Sequence, residues 1–119
     1  MKLSEIISKI DIKKINIDRN EIERKSDLQI FRIEEDRRKI AKNSLLFLDK
    51  EEVKDLTKDD IKNLVEEIKE KEVKIIILET GLEDLEKEIL EVSKDVIIIY
   101  TDNIENAKIR VSIEFYANP

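Results

Sequence analysis

The chain has 119 residues, with 29 acidic and 23 basic side chains, a formal net charge of −6, and 40 % apolar residues, enough for one compact core. It has no Cys, no His and one Gly, which excludes disulfides, thiolate nucleophiles, Cys- or His-ligated metals, imidazole acid–base catalysis and Gly-rich phosphate loops. The acidic balance argues against direct nucleic-acid contact, no apolar run approaches the ~20 residues of a bilayer span, and the opening Met1-Lys2-Leu3-Ser4-Glu5 lacks a signal-peptide core, so a cytoplasmic domain is expected.

With 44 % charged residues, disorder is the first alternative, but Ile, Leu and Val gather in periodic blocks. Leu3, Ile6, Ile7 and Ile10 fall at i, i+3, i+4 and i+7, one face of a short helix with Ser4 near its start. Ile12, Ile15 and Ile17 follow in an extended pattern, and residues 28–33 read as a strand. The polar stretch 34–42 has room for one or two helical turns, stopped at Asn43, a residue that tolerates left-handed backbone. Leu45-Leu46-Phe47-Leu48 is an unbroken apolar run that suits a strand buried on both faces. Thr57 with Asp60 is an imperfect capping box, Leu56 and Ile61 are placed for a hydrophobic staple, and Ile61, Leu64, Val65 and Ile68 form a helical stripe. Residues 73–78 are a second buried-strand candidate. Thr80 with Glu83 predicts a capping box for a helix whose inner side carries Leu82, Leu85, Ile89 and Val92. Residues 96–100 are a third buried-strand candidate. Last, Ile109, Val111, Ile113 and Phe115 alternate with Arg110, Ser112 and Glu114, the pattern of a half-buried edge strand.

Apolar strands joined by amphipathic helices predict an α/β fold: a single domain over residues 1–119, with a mixed sheet that has a parallel βαβαβ core and flanking antiparallel or edge strands. The chain stops directly after a strand pattern, which admits its being a piece of a longer protein. In an open parallel sheet, ligands bind beyond the carboxyl ends of the strands. The candidate ligand-binding residues there are Asp49, Thr80, Gly81, Thr101 and Asp102, and the only Gly of the chain would let a ligand approach free amides at a helix start. The plainer alternative is that Thr80 and Gly81 turn the chain and cap the helix. Asp49 and Asp102 could pair for acid–base work or a hard cation, but carboxylates after strands are ordinary turn formers. Arg32, Arg37, Arg38, Lys39 and Lys42 form a basic patch that Glu34, Glu35 and Asp36 interrupt, as a salt-bridged solvent face would. No catalytic residue, metal ligand or cofactor is assigned.

The order of elements resembles the N-terminal ligand-sensing domain of PucR-like transcription regulators. Leu3-Ser4-Glu5-Ile6-Ile7 is similar to that family's opening helix, and Asn43-Ser44-Leu45-Leu46-Phe47-Leu48 occupies the place of its "gly-glu-leu-x-leu" strand. The stretches 61–71, 73–81, 82–94 and 96–100 follow the family's helix, strand, helix, strand order. Asn43 stands where the family has Gly, and Lys94-Asp95-Val96 lacks its Pro. The N-terminal domain of HPr kinase and the "DRTGG" domain have related architecture, but no Asp-Arg-Thr-Gly-Gly string occurs here. The resemblance implies a non-catalytic regulatory module that senses a small metabolite and controls an attached DNA-binding region without touching DNA itself.

The alternative is a protein-interaction or oligomerisation module without a ligand. A sensor requires a hollow at the carboxyl end of the sheet. An interaction module requires an exposed apolar patch, and self-association into a homodimer through the 109–115 edge is its expected form.

Overall fold

In a computed structural model, residues 1–117 are described. The elements in chain order are α1 (Leu3–Lys9), β1 (Lys14–Ile15), α2 (Arg19–Arg24), β2 (Arg32–Glu34), β3 (Ser44–Leu48), α3 (Lys50–Val53), α4 (Lys58–Glu70), β4 (Ile75–Glu79), α5 (Glu83–Val92), β5 (Ile97–Thr101) and α6 (Ile104–Ala117). A 3-10 turn at Arg37–Lys39 precedes β3. The five strands form one sheet in the order β1-β5-β4-β3-β2. Four of them run parallel, and β1 pairs antiparallel to β5. The fold is the expected α/β sandwich, with the three apolar runs as the central strands.

The Ile/Leu runs are unbroken because each central strand is buried on both faces. In register, Leu46, Ile76 and Ile98 face one side, and Leu48, Leu78 and Tyr100 lie beside them. That side is covered by Leu64, Val65 and Ile68 of α4 and by Leu85 and Ile89 of α5. Crossovers of one hand that step in one direction lay their helices on one face, which is why α4 and α5 share it. The opposite side shows Leu45, Phe47, Ile75, Ile77, Ile97 and Ile99, packed against Leu3 and Ile6 of α1 and Ile104, Ala107 and Val111 of α6.

The N-terminal segment ties both margins of this second layer. The Met1 ammonium donates to Ile30 O at 3.0 Å. At the far side, Asn16 imitates a strand partner: its Nδ2 donates to Val96 O (3.0 Å) and its Oδ1 accepts from Ile98 N (2.8 Å). Asn43 stops the preceding turn at φ 56°, the left-handed conformation expected of it. Thr57 and Asp60 form a reciprocal capping box at the start of α4.

Several expectations are corrected. Residues 109–115 belong to a helix, not to an edge strand. The side of the sheet away from α4 and α5 carries a large apolar cluster, and α1, seven residues long, covers only part of it. α6 supplies the rest, through Ile104, Ala107 and Val111 at i, i+3 and i+7. Thr80 does not cap α5: the N-cap is Leu82, with no side-chain cap bond. Thr80 N still donates to Thr101 O (3.0 Å), so the strand ladder holds Thr80 and the helix starts beyond it. Val92 is 41 % exposed rather than on the inner side of α5. The 28–33 strand is confined to β2, shifted to Arg32–Glu34, with Ile30 buried ahead of it. The short helices α2 and α3 are additional, each started by an Asp side chain that accepts a backbone N–H. Among the described residues, no helix is long and apolar enough to cross a membrane.

Candidate functional site

At the carboxyl end of the sheet, β3 runs straight into α3 through Asp49. Its Oδ1 accepts from Glu52 N at 2.7 Å and so caps the helix. Its Oδ2 lies 3.4 Å from Lys108 Nζ, which reaches over from α6 and also stands 3.4 Å from Glu105. The Asp49 and Lys108 side chains are only 19 % and 14 % exposed, so this ion pair is poorly screened. Burial pulls the Lys108 pKa down, but Glu105 and Asp49 outweigh it and hold the ammonium above its usual range. The neighbouring strand end is joined to α3, where Lys50 N donates to Glu79 Oε1 at 2.8 Å.

Glu52 is the unusual group of this cluster. It is half-buried, its Oε1 is shut off from solvent, and that oxygen has no hydrogen-bond partner. Burial first, and then repulsion from Asp49, push its pKa up from 4.5 to about 7, against the pull of Arg37 and Lys108. An acid whose folded pKa is raised contributes stability that is complete below about pH 4.5 and is lost as pH rises through about 7. Glu52→Gln keeps the shape and removes the charge. It is expected to match the native protein at pH 5 and to exceed it at pH 8 by about 1–2 kcal/mol, the shift being reduced for partial solvent screening. Urea unfolding at the two pH values measures this, and a difference that does not widen with pH would refute it.

The five candidate residues lie at the expected end of the sheet, each with its own local contacts. Thr80 and Thr101 are joined through their backbones. Thr101 is buried, and its hydroxyl accepts from Asn103 N at 3.3 Å, so it serves the turn into α6. Gly81 has φ +110° and lies under the Lys50 side chain. Asp102 is exposed and turns towards Lys13, 3.7 Å away, on the β1 side. Asp49 is committed to Lys108. The Thr80 hydroxyl oxygen is buried with no partner.

The hollow next to this cluster, about 500 Å³, is lined by Glu35, Asp36, Arg37, Arg38 and Glu52 with Asp55, Leu56 and Asp60. Carboxylates and guanidiniums of both signs line it, and none of these residues brings a hydroxyl, thiol or imidazole. Within the basic patch, Arg38 is paired with Asp36 at 3.0 Å. Among the described residues, no group of three or more metal-ligating side chains is placed to hold an ion. Glu52 and Lys108 did not figure among the sequence candidates. The Asp-x-x-Glu spacing of Asp49 and Glu52 is the one signal that marks a helix start there.

A second surface has a different chemistry. α6 is apolar on two opposite sides. Its inner side is buried, while Ile109 and Ile113 on the outer side are 58 % and 64 % exposed. Tyr116 continues the outer stripe at 71 % exposure, and Phe31, before β2, is 68 % exposed. A groove of about 690 Å³ runs between them, lined by Met1, Glu5, Gln29, Ile30, Phe31, Phe115 and Tyr116. The Phe115 and Tyr116 rings meet edge to face at 5.1 Å.

No family model, curated protein or solved structure matches the chain.

Proposed function

We propose that the domain is a non-catalytic protein-interaction module that works by self-association, with the outer side of α6 as its contact surface. The observation that carries this reading is the apolar stripe of Ile109, Ile113 and Tyr116, left in solvent on a helix whose opposite side is already buried. A helix apolar on both sides belongs between two packed layers, and the domain itself supplies one of them. At the carboxyl end of the sheet, the Asp49–Lys108 pair and Lys50 over Gly81 stand at the ends of β3 and β4, and the hollow beside them is lined mainly by charged side chains of both signs.

The test compares the native chain with Ile109→Ser/Ile113→Ser. Association stabilises the folded state by mass action, so the native melting midpoint is expected to rise with protein concentration and the variant's to stay flat. At high dilution the two should agree to about 1 kcal/mol, because exposed substitutions cost little. A native midpoint independent of concentration, raised instead by a purine or another small metabolite and unresponsive to it in Thr80→Val, would overturn this reading in favour of the sensor that the PucR resemblance implies.

A further inference from the structure

We propose that two copies of the chain pair through α6 in parallel, in register, about a two-fold axis that runs along the helices. This rests on the self-association reading and adds the partner's identity and orientation to it. The exposed stripe is spaced 109, 113, 116, the alternation of four and three that defines the d, a and d positions of a heptad. One step earlier, the a position falls on Asn106, which is also exposed. A single Asn at an a position, among apolar residues at the other seam positions, favours two parallel strands in register, because the two amides then meet and satisfy each other.

The flanking charges agree. Glu105 occupies the g position and Arg110 the following e position, the pair that meets across a parallel two-stranded seam. Both side chains are in solvent, Glu105 at 73 % exposure even while it faces Lys108. In an antiparallel pair with Ile109 opposite Ile113 of the other copy, Glu105 and Arg110 would no longer meet and this complementarity would be lost. A two-heptad coiled coil on its own is marginal in water. Here the helix is already formed and held by Ile104, Ala107 and Val111 in the core, so pairing has little left to order.

The chain has no cysteine, so single thiols report orientation without background. In the 119-residue chain under mild oxidation, Ile109→Cys alone and Tyr116→Cys alone are each expected to form a disulfide-linked dimer, since each d position lies opposite itself. Glu105→Arg is expected to weaken the dimer by about tenfold, through like charges at two symmetry-related pairs, and Glu105→Arg/Arg110→Glu to restore it. If neither thiol links alone but a mixture of Ile109→Cys with Ile113→Cys does, as opposed d and a positions would, the pairing is antiparallel; that overturns the orientation and leaves self-association standing. If Ile113→Glu keeps its circular dichroism and still dimerises like the native chain, the contact lies elsewhere, with the Phe31 groove first, and the α6 seam is wrong. A native chain that sediments as a 14.1 kDa monomer at every concentration overturns both readings.

Discussion

Ile76→Asp is expected to abolish the folded state at neutral pH. Ile76 is fully buried in β4, with Leu46 and Ile98 as its register partners on either side. Its side chain belongs to the cluster closed over by Leu64, Ile68 and Leu85. A carboxylate there has neither a partner nor a route to water, because β4 is central in the sheet and each face carries a helical layer. Burying an unpaired charge costs several kcal/mol at least, and a domain of this size has about 5–15 kcal/mol in all. Far-ultraviolet circular dichroism of the variant should show no cooperative melt. A melt at the native midpoint would mean that β4 is not the centre of the core.

Gly81→Ala is expected to lower stability by about 1–3 kcal/mol, the usual cost of a non-Gly residue at a disfavoured positive φ. The glycine sits at φ +110°, and a Cβ added to it would stand 2.6 Å from Lys50 Cε. Lys50 is an exposed, flexible side chain and can swing aside, so the backbone term dominates. Lys50→Ala in the Gly81→Ala background should therefore recover little. If it restores the native midpoint in thermal melts, the contact and not the backbone sets the cost. Substitution of Gly81 thus perturbs folding, and Thr80, whose hydroxyl has no partner to lose, is the cleaner probe of the carboxyl end.

The central strands were legible because a strand buried on both faces has a local signature, an unbroken run of Ile, Leu and Val. Their limits were less so. Val73 looks like the start of β4, yet its N–H donates to Ile68 O and closes the end of α4 instead. The strand-like alternation of α6 has a physical reason. Inner Val111 and half-buried Phe115 interleave with outer Ile109 and Ile113, so a helix apolar on two sides imitates the alternation of a strand. The site suffered from the same error. Asp49 could be placed at a strand end from local pattern, but its partner Lys108 lies 59 residues away, on the element assigned to the wrong class. The raised pKa of Glu52 depends first on burial, which is not written in the neighbouring residues.

The strand order bears on how far any assembly can grow. β1, at one end of the sheet, is two residues long and β2, at the other, is three. Lys14 lies on the first, and Arg32 and Glu34 on the second. Strands so short and so charged are poor templates for another chain to add to, which guards the molecule against open-ended stacking into fibrils. Growth by sheet extension is closed off at both ends. A helix seam related by a two-fold axis uses the same stripe on both molecules and leaves none free. An assembly built that way stops at two.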